Sequence, residues 1–236
     1  MKTLAVIPAR GGSKGIPRKN LVELNGKPLI AWTIAQALGS GRVDYVHVST
    51  DDEEIAATAR ASGAHCDFLR PTELAGDKIG TGEAILHTIR ELEGRGQSFD
   101  AVVELQPTYC FRGSKLVSDC LNGLNYDAGT DAMITCTKVE DTAHPDFVLT
   151  ISSEGAVQFG PKKPDEFARQ FLSPALACKG LVLAGRVASY LRAKSFYAGK
   201  CRAVVVDDPI RMLDINGPLD LEIVRHVARL HPEQLV

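Results

Sequence analysis

No apolar run in this 236-residue chain is long enough to span a bilayer, and the stretch from Met1 to Ile7 meets Pro8 too soon to act as a secretory signal. Neither sign of charge dominates. With 27 Lys and Arg against 29 Asp and Glu, nothing general draws the chain to nucleic acid or to an anionic membrane, so any anion must be held by local charge. The six cysteines, at 66, 110, 120, 136, 178 and 201, form no C-x-x-C pair and have no histidine beside them at metal-ligand spacing, so they read as buried thiols of a reducing compartment. Internal repeats, low-complexity segments and the G-x-x-x-x-G-K-[ST] and G-x-G-x-x-G fingerprints are all missing. A cytoplasmic protein without nucleic-acid or membrane partners is expected.

What is present is a rhythm. Leu4 to Ile7 is a short β-branched run closed by Pro8, as in a fully buried strand, and Pro28 to Leu38 follows with helical spacing. Val43 to Ser49 predicts a strand, Asp52 to Ser62 a helix capped by Asp51, and Ile79 to Leu92 another helix. Ala101 to Leu105, Lys115 to Leu121 and Ala132 to Lys138 continue as strand, helix and strand. Such alternation implies a mostly parallel sheet covered by helices on both faces, with ligands at the carboxyl ends of its strands. From about 139 to 176 the rhythm breaks into a predicted β-hairpin, Phe147 to Ile151 with Val157 to Phe159, which reads as an insertion in a single domain of residues 1–236. Short strands at Leu181 to Leu183 and Ala203 to Val206 and a helix from Leu219 to Leu230 close the chain. Trp32, on an apolar helix face, reads as core.

The densest chemistry lies after the first strand. Gly11, Gly12 and Gly15 remove side chains so that backbone N–H groups can approach phosphate oxygens, and Arg10, Lys14, Arg18 and Lys19 add four positive charges within ten residues. Amides for non-bridging oxygens and fixed cations for charge moving onto a leaving pyrophosphate are what a triphosphate requires. A plain glycine-rich turn with solvated basic residues is the alternative.

The run Ile7-Pro8-Ala9-Arg10-Gly11-Gly12-Ser13-Lys14-Gly15-Ile16-Pro17-Arg18-Lys19-Asn20-Leu21 resembles the signature of acylneuraminate cytidylyltransferases, also called CMP-sialic acid synthetases. Ser49-Thr50-Asp51, Arg70-Pro71 with Leu74-Ala75 and Asp77, Leu105-Gln106-Pro107-Thr108, Arg169-Gln170 and Leu213-Asp214-Ile215 follow in the family's order. The resemblance implies a Rossmann-like, three-layer nucleotidyltransferase with a β-hairpin dimerisation arm. It would couple CTP to the anomeric hydroxyl of a nonulosonic 2-keto sugar acid, with Mg2+ or Mn2+ as cofactor and a homodimer as the working form. By the same resemblance Arg10 and Lys14 hold the triphosphate, residues Ala9 to Lys14 and Lys19 line its site, and Asn20 helps bind the nucleoside. Arg70, Thr81 and Gln106 match positions at or near the nucleotide, although Arg70 and Gln106 could equally fix a loop by hydrogen bonds.

Of the carboxylates near the carboxyl end, Asp207, Asp208, Asp214 and Asp220, Asp214 matches the first aspartate of the family's D-x-D metal element and is taken as catalytic with Arg10 and Lys14. Asn216 stands where the second aspartate is usual, so metal binding should be weaker; the alternative is a turn in which Asn216 or a neighbour caps the last helix. Gln106, Arg169, Gln170 and Lys179 fall where the family meets the acceptor. Arg169 is placed on the dimerisation arm, and a solvated arginine is its alternative. Two departures fall here: Tyr109-Cys110-Phe111-Arg112 replaces Ser-Pro-Leu-Arg, and Lys179-Gly180 replaces Asn-Gly, which predicts a reshaped acceptor pocket. A CTP-binding protein without catalysis, and an enzyme for an eight-carbon KDO-type acid, remain open alternatives.

Overall fold

A computed structural model describes residues 1–159 and 173–236. The first half gives β1 (Thr3–Pro8), β2 (Glu23–Leu24), β3 (Lys27–Pro28), α1 (Leu29–Gly39), β4 (Tyr45–Ser49), α2 (Glu53–Ala61), α3 (Thr81–Gly94), β5 (Ala101–Glu104) and α4 (Ser114–Tyr126). The second gives β6 (Ala132–Lys138), β7 (Leu149–Ile151), β8 (Val157–Phe159), β9 (Leu176–Arg186), α5 (Val187–Ala193), β10 (Cys201–Val205) and α6 (Pro218–Leu230). The central sheet runs β10-β6-β9-β5-β1-β4, and every neighbouring pair is parallel except those of β9, which is antiparallel to both β5 and β6. The structure is therefore an α/β fold with a mixed, mostly parallel sheet and the predicted hairpin β7–β8.

The pleat sorts β1 between two layers. Ala5 and Ile7 face a core shared with Ile30 and Ile34 of α1 and Leu116 of α4, while Leu4 and Val6 face Ile85 and Ile89 of α3 and Tyr190 of α5. Burying each Leu or Ile stabilises the chain by roughly 1.5–3 kcal/mol. A third cluster joins Ile16, Trp32, Phe111 and Leu221 under α6. Trp32 is core as expected, and its Nε1–H donates to the Leu24 carbonyl at 2.9 Å.

Several expectations need correction. Asp52 caps α2, accepting from the N–H groups of Glu54 and Ile55, whereas Asp51 accepts from the Gly11 N–H at 3.0 Å. The predicted strand Leu181 to Leu183 is the middle of an eleven-residue strand whose first half carries polar and exposed positions, which hides it from a search for apolar runs. α5 was not predicted, because its seven residues are too few to show a helical period. Of the six cysteines Cys178 is exposed and Cys201 half-buried, and only the other four are buried thiols. Among the described residues no helix is long and apolar enough to cross a membrane.

Candidate functional site

A cavity of about 460 Å³ opens beside the carboxyl ends of β1 and β5. It collects Arg10, Ser13, Lys14, Lys19, Asn20, Arg70, Thr81, Gln106 and Asn216 from segments far apart in the chain. Ala9, Gly11, Gly12, Lys179 and Asp214 are not on its wall, and Arg169 and Gln170 lie outside the described residues.

The phosphate-loop glycines divide by cause. A Cβ on Gly15 would come within 2.4 Å of the Asn216 carbonyl oxygen, and one on Gly11 within 2.8 Å of the Asp52 carboxylate, so both are glycine because the protein itself crowds them. Gly12 faces open space. The backbone of the loop is also partly committed: the Ala9 N–H donates to Ser49, Gly11 to Asp51 and Ser13 to the Gly11 carbonyl. Free amides for a ligand are thus fewer than the glycine count implies.

The charges separate as well. Arg18 turns away and pairs with Asp52 and Glu54, so it belongs to the start of α2 and not to the cavity. Lys19 donates to the Ile215 carbonyl at 2.7 Å, and burial lowers its pKa although Asp214 opposes that shift. Arg10 and Lys14 both reach Asp77, at 2.8 and 2.6 Å. Its carboxyl is held below the usual carboxylate range by the Lys14 hydrogen bond first and by Arg10 next. These ion pairs are exposed, so a polyanion can displace Asp77 at little cost. Arg70 differs in being only 7% exposed, with Nε and one terminal nitrogen unpartnered. Burial lowers its pKa, and a buried guanidinium with unused donors on a cavity wall fits an anion. Asn20 is buried, and its amide holds the Arg10 carbonyl at 3.1 Å.

Three of the four candidate carboxylates near the carboxyl end are spoken for. Asp207 pairs with Lys138, Asp208 accepts from the Ile210 N–H, and Asp220 accepts from the N–H groups of Asn216 and Gly217, capping α6 from within. Asp214 accepts from the Asn216 amide at 2.9 Å through Oδ2 and from the Tyr109 hydroxyl, while its Oδ1 is buried without a partner. Among the described residues no group of three or more His, Cys, Asp or Glu side chains could hold an ion. A hard divalent cation that takes one carboxylate and completes its shell with phosphate and water still fits the unpartnered Asp214 oxygen.

Neither aromatic residue of the Tyr109 to Arg112 departure lines the cavity. Cys110 and Phe111 are fully buried in the core cluster under α6, and Tyr109 is 7% exposed, with its hydroxyl towards Asp214. Arg112 is also fully buried, donating to the Gln106 carbonyl, and burial brings its pKa down to about 9. Lys179 is half-buried at a break in the β6–β9 ladder, where the Thr135 hydroxyl donates to its carbonyl at 2.5 Å.

Two participants take their roles only from the structure. Glu104, the last residue of β5, is 3% exposed and accepts from Gln106 and Thr81; a charge inside the otherwise apolar run Ala101 to Leu105 was the available signal. Gly180 packs its bare Cα against the Gln106 amide, where a Cβ would stand 3.2 Å away.

Comparisons with known proteins bear on the family and the fold. The family model described as Cytidylyltransferase matches residues 4–94. The chain is 30% identical over 240 residues to the CMP-N,N'-diacetyllegionaminic acid synthase of Legionella pneumophila, covering 100% of both. It is also 30% identical over 223 residues to the N-acylneuraminate cytidylyltransferase of Escherichia coli, covering 94% of this chain but 51% of that longer protein. A pseudaminic acid cytidylyltransferase of Campylobacter jejuni is 45% identical over 108 residues, 46% of this chain and 47% of that one. Among solved structures, a CMP:2-keto-3-deoxy-manno-octonic acid synthetase complexed with CTP superposes with a TM-score of 0.72 at 21% identity, over 98% of this chain and 100% of that chain. A 4-diphosphocytidyl-2C-methyl-D-erythritol synthase from Anaerococcus prevotii gives 0.64 at 13%, over 97% and 98%.

Proposed function

This chain belongs to the acylneuraminate cytidylyltransferase family, and we propose that it couples CTP to the anomeric hydroxyl of a nonulosonic, sialic-acid-like 2-keto sugar acid, giving a CMP-sugar and pyrophosphate. The observation that carries this reading is the convergence of Arg10, Lys14 and Arg70, with two of its guanidinium nitrogens unpartnered, on one cavity that Gln106 and Asn216 also line. In this reading the triphosphate takes the place of the Asp77 carboxylate on Arg10 and Lys14. The anomeric oxygen then bonds to the α-phosphorus as its hydroxyl proton passes to water and the bond to the pyrophosphate oxygen breaks, and the two cations hold the charge that leaves. Gly11, Gly12 and Ser13 shape the loop around the phosphates, while Lys19 and Asn20 fix its far end.

Asp214 and Asn216 would hold Mg2+ or Mn2+, Asp214 kept in place by the Asn216 amide and the Tyr109 hydroxyl. Such an ion, when bound, would neutralise developing charge and align the attacking and leaving oxygens. Gln106 and Lys179, with Arg169 and Gln170, would meet the acceptor. The hairpin β7–β8 leaves Leu149, Ile151 and Val157 exposed, which supports the reading of residues 139–176 as a dimerisation arm on a single nucleotidyltransferase domain. Because CTP is an intracellular nucleotide, the reaction is assigned to the cytoplasm.

The test is pyrophosphate release from CTP with magnesium and a panel of legionaminic, pseudaminic, N-acetylneuraminic and eight-carbon 2-keto acids. Release with a nine-carbon acid is expected. Release with the eight-carbon acid alone would reassign the acceptor, and CTP binding without release under any condition would leave a nucleotide-binding protein.

A further inference from the structure

We propose that Glu104 is a positioning residue: it fixes the Gln106 side-chain amide with its N–H end on the protein, so that the cavity presents a carbonyl oxygen and selects a hydroxyl of the sugar acid as the hydrogen-bond donor at that point. This rests on the preceding reading of the cavity.

A carboxyl buried at the end of an apolar strand is costly unless its oxygens are satisfied. Here both partners are cavity residues: the Gln106 Nε2–H donates to Glu104 Oε1 at 2.9 Å, and the Thr81 hydroxyl donates to the same carboxyl. Gln106 is gripped elsewhere too. Its main-chain carbonyl accepts from Arg112, and the face of its amide lies on Gly180, where a Cβ would stand 3.2 to 3.3 Å from its Cδ, Nε2 and Oε1. An ionised carboxylate only accepts, so it dictates which end of the amide turns inward. Oε1 is left for the ligand.

The device depends on charge. Arg112 is the cation near Glu104, Tyr190 of α5 and Tyr197 of the following loop are the other titratable neighbours, and burial raises the Glu104 pKa against the Gln106, Thr81 and Arg112 interactions. A protonated Glu104 can donate to Gln106 Oε1, which frees the amide to turn over. Acceptor binding should therefore weaken as pH falls through the raised range of Glu104.

The experiment is a double-mutant cycle of E104Q and Q106A, with acceptor KM, kcat and CTP affinity by calorimetry. E104Q alone should raise acceptor KM about tenfold, the loss of one hydrogen bond, with a smaller change in CTP affinity. It should add nothing in the Q106A background, and the acid-side rise in acceptor KM should vanish in E104Q. An equal effect in both backgrounds, an unchanged acceptor KM, or a shift confined to CTP would overturn the proposal. Should E104Q not fold, the wild-type Gln106 amide protons, identified by their loss in Q106A, can be followed by NMR. Slow exchange supports the grip and free exchange overturns it. That readout needs no turnover, so an inactive wild type would reject the functional reading separately.

Discussion

The loop wall of the cavity and its strand wall are assembled differently. Arg10, Ser13, Lys14, Lys19 and Asn20 fall within eleven residues, so one turn after one strand delivers them together. On the other side Arg70, Thr81, Gln106 and Asn216 come from the segment before α3, the start of α3, the loop after β5 and the turn before α6, with Glu104 of β5 and Gly180 of β9 behind Gln106. The difference teaches where specificity can vary: a local loop keeps the donor's phosphates in place, while a wall built from distant segments can change one contributor at a time.

The largest effect is expected on the loop wall. Arg10→Ala and Lys14→Ala should each lower kcat/KM about 10²- to 10³-fold, the range for losing one charge-stabilising group. Melting temperature should hardly move, since both side chains pair with an exposed partner. Kinetics and thermal unfolding of the same preparations check this, and equal losses of stability would make the loop structural.

Acidification should treat both walls alike. Burial holds His47 neutral, bringing its pKa from the usual 6.5 to about 4, and neither ring nitrogen has a partner. The unfolded chain takes that proton first as pH falls, so the contribution is complete above pH 6.5 and is lost on the way down through about 4. The loss is on the order of 3 kcal/mol. Denaturant titrations at pH 7 and pH 5 should show part of it, and His47→Leu should flatten the difference.

Gly15→Ala probes the seam between the walls, because backbone meets backbone there and neither can yield as a side chain would. Displacing the loop from the Asn216 turn should reduce kcat/KM roughly tenfold to a hundredfold. A wild-type rate would show that the seam is not needed. Smaller still, Asn216→Asp restores a second carboxylate and should lower the magnesium concentration for half-maximal rate by a few-fold, roughly what one added ligand charge contributes. Unchanged metal dependence would leave Asn216 as a turn residue that holds Asp214.

The sequence was most legible where order along the chain equals order in space. β6 appears at its predicted bounds, β1 and α1 within a residue or two, and the loop after β1 lies where its glycines and cations predicted. Asp51 and Asp52 show the limit: both are capping residue types, and only the backbone decides that Asp52 caps α2 while Asp51 ties down Gly11. Phe111 follows Gln106 closely in the chain, which points it towards the acceptor in sequence, but the chain turns it under α6. Arg18 belongs with the phosphate cations by position in the chain, but in the fold it pairs with Asp52 and Glu54. Glu104 escaped notice because its meaning comes from Thr81 and Gly180, which no spacing connects to it.

The central claim is tested most directly by following the phosphorus resonances of CTP with the protein, magnesium and a nonulosonic acid. The account predicts that the three CTP signals give way to one CMP-sugar phosphodiester signal and one pyrophosphate signal of twice its intensity, and that Lys14→Ala slows the conversion about 10²- to 10³-fold. CTP signals that persist with every acid, or that decay to CDP and inorganic phosphate, would contradict it.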